Sequence, residues 1–183
     1  MNMRYRHYKK YMDTNSTIIV TGAAGFIGSC MVNYLNEKGF EKLILVDEFD
    51  EEEKELNLLH KKYLVRVERE DFFDWIQREN IKVDFVFHLG ARTDTTEFDY
   101  SIHQKLNVEY SQKMWNYCTA NQIPLVYASS AATYGNGDLG YDDSHEIVEK
   151  LQPLNRSRRG LNYLWAATGN SLAGRPACVM MVS

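Results

Sequence analysis

Three glycines, one carboxylate and a pair of hydroxyls are the residues in this chain whose types and spacing suggest chemistry. Gly22, Gly25 and Gly28 follow one another at three-residue intervals, directly after the apolar run Ile18, Ile19 and Val20. From Phe26 onward the residues read as a helix. In a strand–turn–helix of this kind the first glycine permits a tight exit from the strand. The second lets a phosphate approach the backbone, and the third lets helix and strand pack closely. The N-terminus of the helix presents unpaired N–H groups and the positive end of a dipole, which suit a pyrophosphate. Such a triplet also occurs as an ordinary structural corner. A strand before it, a helix after it and an acid at the end of the next strand favour a dinucleotide site.

That acid is Asp47, which closes the run Leu43, Ile44, Leu45 and Val46 about 20 residues beyond the last glycine. A carboxylate there can accept hydrogen bonds from the adenosine ribose hydroxyls, and alone it would read as a strand-end acid in a turn. The acidic run that follows reads mostly as a solvated face. Lys54 is its single cation, the one group there able to meet a 2′-phosphate, so NAD and NADP both stay open. Ser129 and Ser130 bring hydroxyls to the end of a later apolar run, L-V-Y-A-S-S.

These groups need elements to carry them to one place. Residues 18–20, 43–46, 63–67, 85–89 and 125–130 read as strands. Residues from 26 to a stop at Gly39, 71–78 and 101–121 read as helices. Strands alternating with helices predict an α/β fold, a doubly wound parallel sheet of Rossmann type. Ligands of such sheets bind beyond the carboxyl ends of the strands, where the glycine turn, Asp47, Gly90, Ala91, Ser129 and Ser130 all fall. Small residues at 90 and 91 leave room for a cofactor across the sheet edge. His88 reads as a packed strand histidine rather than a base.

Composition narrows the class. A chain of 183 residues with 44% hydrophobic and 25% charged residues is that of one globular domain. No apolar run approaches the roughly 20 residues that span a bilayer. The net charge is −4, but residues 1–16 and 151–183 are both basic, so the middle is strongly acidic. That argues against nucleic-acid binding as the main role. Cys30, Cys118 and Cys178 are odd in number and lack metal-ligand spacing, which suits reduced thiols in the cytoplasm. Residues 1–16 carry four basic groups without an apolar stretch behind them, so they read as a disordered leader rather than a signal peptide.

T-G-A-A-G-F-I-G at 21–28, F-H-L-G-A at 87–91 and Y-A-S-S-A-A-T-Y-G at 127–135 together resemble the extended short-chain dehydrogenases/reductases. With T-T-E-F-D at 95–99 and K-L-Q-P-L-N at 150–155, they resemble most closely the ADP-glyceromanno-heptose 6-epimerase family within that superfamily. The resemblance covers about residues 17–155. It implies a tightly bound NADP or NAD that takes a hydride from a nucleotide sugar (ADP-heptose) and returns it to the other face. It also implies a role in lipopolysaccharide precursor supply and homo-oligomeric full-length members. Ser130 matches the serine that hydrogen-bonds the reacting oxygen. Gly22, Gly25, Phe26, Ile27 and Gly28 match the pyrophosphate turn, and Asp47 the ribose position. Leu89, Gly90, Ala91, Arg92 and Thr93 match the cofactor-touching loop, and Asn107 a helix asparagine near the nicotinamide half. Glu48 stands where the family often has Asn, and Arg69 where a Lys reaches a phosphate. Glu48 would repel a 2′-phosphate.

The family continues after P-L-N with Tyr-x-x-x-Lys, the tyrosine as base and the lysine lowering its pKa. Here Leu154 and Asn155 run into R-S-R-R-G, Tyr163 is followed four residues on by Ala167, and no lysine follows Lys150. Residues 156–183 are therefore read as a tail outside the family pattern, arising from a frameshift or early stop near Arg156. The sheet is expected to lack its C-terminal strands and the substrate domain, to expose an edge and to dissolve poorly. The chain is expected to be inactive as an epimerase. The alternatives are a dinucleotide-binding module without chemistry and a fragment of another sugar-nucleotide epimerase or dehydratase.

Overall fold

The computed structural model describes residues 12–49, 52–91, 104–130 and 178–182. The chain divides into two compact units, residues 1–90 with 120–125 and residues 91–119 with 126–183.

The first unit holds β1 (Ile18–Thr21), α1 (Phe26–Glu37), β2 (Leu43–Asp47), α2 (Glu52–Asn57), β3 (Val65–Glu68), α3 (Phe72–Glu79) and β4 (Phe85–His88). Its strands lie in the order β3-β2-β1-β4. Every pair is parallel: Thr21 stands opposite Val46 of β2 on one side and His88 of β4 on the other, and Asp47 opposite Glu68 of β3. The chain thus moves outward from β1 to β3 and then returns to the far side of β1. Reversals of this kind open a crevice at the carboxyl ends of the strands.

Why these residues make strands follows from their burial. Ile18, Ile19, Val20, Leu43, Ile44, Leu45, Val46 and Val86 are fully buried, so both faces of β1 and β2 are covered. A strand covered on both faces must be apolar without alternation, as these runs are. Each such side chain contributes about 1.5–3 kcal/mol of burial. Val32 and Leu35 of α1 and Phe72 and Ile76 of α3 add to this core. Helix α1 closes with two tight bonds, Phe40 N–H to the Leu35 carbonyl (3.0 Å) and Gly39 N–H to the Asn36 carbonyl (2.9 Å), a Schellman end. The stop read at Gly39 is where the helix ends.

In the second unit a π-helical stretch, Gln104–Glu109, leads into α4 (Tyr110–Asn121), which buries Ser111, Met114 and Cys118 along one stripe. The last two residues of α4 and the first of β5 (Leu125–Ser130) belong to the first unit, where Val86 N–H donates to the Pro124 carbonyl at 3.0 Å. The rest of β5 pairs in parallel with β6 (Cys178–Val182), Ser130 standing opposite Val182.

The expected parallel α/β sheet of Rossmann type is the fold observed, with differences in detail. β3 starts at Val65 rather than 63, because Tyr63 and Leu64 form the approach, Leu64 N–H already bonding the Leu43 carbonyl at 2.8 Å. The acidic stretch after Asp47 contains a helix, α2, where only a solvated face was read. The first turns of the helix expected at 101–121 are π-wound from Gln104. β6 lies in a segment read as a tail, where C-V-M-M-V is a short apolar run of the strand type. Residues 12–16, part of the stretch read as a leader, are among those described. Asp13 accepts Ser16 N–H through its carbonyl (2.9 Å) and Asn15 N–H through its carboxylate (2.9 Å), closing a turn ahead of β1. Residues 1–11 lie outside the described residues, as do 131–177.

Candidate functional site

The site residues of the first unit gather at the carboxyl ends of β1, β2 and β4. Gly22 leaves β1 with φ +66, a conformation costly for any residue with a Cβ. Crowding is the stronger constraint. A Cβ on Gly22 would lie 2.5 Å from the Gly90 Cα, and one on Gly28 only 1.9 Å from the Gly22 carbonyl oxygen. The glycine turn, the start of α1 and the end of β4 are therefore in backbone contact. A Cβ on Gly90 would stand 2.9 Å from the Gly22 nitrogen, so the smallness of this residue is what lets the two strand ends meet. Gly25 differs. A Cβ there would meet only the Gly22 oxygen, at an ordinary 3.4 Å, so packing within the protein does not demand glycine. Phe26 and Ile27 open α1 with both side chains exposed. The first N–H groups of a helix have no partner within it.

Asp47 is tied to this turn. Its Oδ2 accepts the Ala24 N–H and its Oδ1 the Glu48 N–H, both at 2.8 Å. Lys54 lies 3.7 Å from Oδ1 and donates to the Glu48 carbonyl at 3.1 Å. The lysine read as able to meet a 2′-phosphate is engaged at the base of the strand end. Asn57 of α2 donates to the Ala24 carbonyl at 2.9 Å, so both polar groups of the turn's central peptides are held from outside. Nothing in the sequence pattern singled out Asn57; a polar residue at the end of a charged run carries no signal until its partner, 33 positions earlier, is known.

A second network joins β1 to β4. The Thr21 hydroxyl lies 2.7 Å from His88 Nδ1 and accepts the Gly90 N–H at 3.2 Å. Burial pushes the His88 pKa down to about 4, so the ring is neutral near pH 7. It is the packed strand histidine the sequence suggested, here oriented by Thr21.

Beyond Asp47 the ends of β2 and β3 border a cleft of about 380 Å³ lined by Glu48, Phe49, Glu68, Arg69, Glu70 and Asp71. Arg69 donates to Glu48 Oε2 at 3.0 Å, and its backbone N–H to the Asp47 carbonyl at 2.8 Å. The Arg69 Nε is buried and has no hydrogen-bond partner among the described residues. Arg66, paired with Glu55, lies 4.2 Å from the centre of the Phe49 ring.

In the second unit, Asn107 is buried in the π-helical stretch. Ser130 ends β5; its backbone is described and its side chain is not. Ala91 is exposed, and Arg92 and Thr93 lie outside the described residues. Burial raises the Cys118 thiol to about 12, which keeps it unreactive.

The sequence profile of the NAD dependent epimerase/dehydratase family matches residues 18–180. The chain belongs to that family. It is 42% identical over 152 residues to an ADP-L-glycero-D-manno-heptose-6-epimerase of Fusobacterium nucleatum, covering 76% of this chain and 43% of the relative. A heptose-6-epimerase of Nitratidesulfovibrio vulgaris strain DP4 is 40% identical over 160 residues, covering 85% and 50%. The chain therefore spans about half the length of these curated relatives. The fold agrees with the crystal structure of the Helicobacter pylori ADP-L-glycero-D-manno-heptose-6-epimerase at a TM-score of 0.73 and 23% identity, over 92% of this chain and 56% of that one. The family match runs past residue 155, where the quoted motifs stop. Among the described residues no helix is long and apolar enough to cross a membrane.

Proposed function

We propose that this chain is the cofactor-holding part of a nucleotide-sugar epimerase that binds a nicotinamide dinucleotide and does not complete the reaction. The backbone contact of Gly22 with Gly90, beside Asp47 anchored on Ala24, is the observation that carries the reading. It leaves the amides at the start of α1 open to an anion while the turn itself is fully braced. The amides of Phe26, Ile27 and Gly28 would hold the diphosphate, and Asp47 the adenosine ribose. Leu89, Gly90, Ala91, Arg92 and Thr93 would border the cofactor, and Asn107 its nicotinamide half. The cofactor, NAD or NADP, supplies a ring that accepts and returns a hydride.

The substrate class follows the curated relatives: a nucleotide sugar, ADP-heptose in their case. Ser130 would hydrogen-bond the reacting oxygen of the sugar. A base must take the proton of the sugar hydroxyl, and a cation must lower the pKa of that base. Residues 156–183 hold no Tyr-x-x-x-Lys to serve these roles. Positioned acid–base catalysis alone supplies about 10²–10⁴-fold, so its loss leaves turnover at least that far below an intact family member. The cytoplasm is the compartment we assign, from the free thiols of Cys30 and Cys118.

Titration with NADH and NADPH by fluorescence, run beside an epimerase assay on ADP-heptose, tests both halves. Binding without turnover is expected. Turnover near that of a full-length relative would overturn the inactivity, and absence of binding to either cofactor would overturn the site.

A further inference from the structure

We infer that Glu55 and Arg66 are positioning residues for the dinucleotide turn: their ion pair clamps α2 against β3, so that Asn57 keeps its hold on the Ala24 carbonyl. The inference rests on the dinucleotide reading above and extends it to two residues outside the turn.

Burial alone does not hold α2 in place. It has six residues, and an isolated helix of that length does not persist in water. None of its described side chains is buried, and Leu56 is 71% exposed; Leu58, the first buried side chain, lies just past its end. Polar side chains supply the other ties. Asn57 and Lys54 donate to the Ala24 carbonyl (2.9 Å) and the Glu48 carbonyl (3.1 Å), gripping the turn and the end of β2. Glu55 reaches β3 instead. Residues two apart on a helix stand about 200° apart around its axis, so Glu55 and Asn57 pull on nearly opposite sides.

Arg66 is a fixed anchor for that pull. It lies inside β3, whose parallel register with β2 sets it opposite Leu45. Its guanidinium makes two bonds to the Glu55 carboxylate, Nη1 to Oε2 at 2.8 Å and Nη2 to Oε1. It also lies 4.2 Å from the centre of the Phe49 ring, one residue past Glu48. A bidentate fork stacked on a ring fixes direction as well as distance, which a lysine would not. The same bonds draw the Glu55 carboxyl below its usual pKa and push Arg66 above its own. The Ala24 carbonyl belongs to the peptide that leads into Gly25 and the first amides of α1. Releasing α2 frees that peptide to turn, and the amides that would face a diphosphate lose their preorganisation.

Dissociation constants of the full chain for NADH, measured by fluorescence with melting curves beside them, test this. The variants are Glu55→Gln, Arg66→Met and the two together, and Glu55→Gln again in an Asn57→Ala background. Each single change is expected to weaken NADH binding about two- to fivefold, the range an exposed bidentate pair can transmit. The double change should cost no more than either alone, and Glu55→Gln should add nothing once Asn57 is alanine. The sign separates positioning from charge. NADH is an anion, so loss of a carboxylate would by charge alone tighten binding, whereas a loosened α2 weakens it. Tighter or unchanged NADH binding in Glu55→Gln, whatever its melting temperature, overturns the inference and leaves the dinucleotide reading standing. So do additive losses in the double variant, or a Glu55→Gln loss that persists in Asn57→Ala. Glu55→Gln keeps the size of a half-exposed side chain, so it decides the matter even where Arg66→Met fails to fold. If the native chain binds no NADH, the dinucleotide reading itself fails, and this inference with it.

Discussion

Two strand ends of this chain, that of β2 and that of β5, have been given different equipment. At the end of β2 the polar groups are reciprocally braced: Asp47 holds the Ala24 amide, Asn57 the Ala24 carbonyl, Lys54 the Glu48 carbonyl and Glu48 the Arg69 guanidinium. β5 ends in Ser129 and Ser130, and residues 156–183 hold no Tyr-x-x-x-Lys. On the function proposed above, holding a cofactor and using it are separable demands. The first needs backbone amides, tight turns and one carboxylate, all within the first 90 residues. The second needs a base, a cation and a hydroxyl drawn together from later in the chain.

The largest perturbation expected of the β2 side is at Gly28. An alanine there places its Cβ 1.9 Å from the Gly22 carbonyl oxygen, a backbone atom with Gly90 behind it. Forced repacking of this kind costs about 1–3 kcal/mol. Gly28→Ala should lower the melting temperature and weaken NADH binding at least tenfold. Binding within twofold of the native chain would mean the brace is not what shapes the turn.

A smaller effect comes from His88. The ring is neutral in the fold, with a pKa near 4, against 6.5 in its unperturbed form. Below pH 6.5 the unfolded chain takes up a proton that the fold refuses, so unfolding gains. The stabilisation is complete above pH 6.5 and is lost as the pH falls toward 4, by up to about 1.4 kcal/mol per pH unit. Thermal melts at pH 7 and pH 5 should show this loss, and His88→Gln should reduce the difference between them. An identical pH dependence in the variant would contradict the buried neutral assignment.

The smallest is Asn57→Ala, which removes one neutral hydrogen bond to the Ala24 carbonyl, worth about 1 kcal/mol. Chemical denaturation should detect that loss, with NADH affinity falling only a few-fold. A loss as large as that of Gly28→Ala would show that α2, not the glycine contact, holds the turn.

Most of the first unit was legible because doubly buried strands announce themselves. I-I-V, L-I-L-V and F-V-F are apolar without interruption, and Gly22 and Gly28 sit where backbone meets backbone. What stayed hidden depended on distance along the chain. Asp47 and Ala24 are 23 positions apart, and Arg69 and Glu48 are 21. Residue type alone cannot reveal such partners, so the placement of the Lys54 ammonium against the Glu48 carbonyl and Asp47 could not be read from the sequence. Helix α2 was hidden for another reason: E-E-K-E-L-N shows no apolar face, and it is tied to the fold by polar bonds, Asn57 to the Ala24 carbonyl, Lys54 to the Glu48 carbonyl and Glu55 to Arg66. The π-wound entry to α4 escaped because a pattern at 3.6 residues per turn does not distinguish a wider coil over six residues.

The most direct test is a crystal structure of the chain grown with NAD. The diphosphate should lie within hydrogen-bond distance of the Phe26 and Ile27 amides, with the adenosine ribose against Asp47. A nucleotide found elsewhere, with the turn between β1 and α1 bare, would contradict the account.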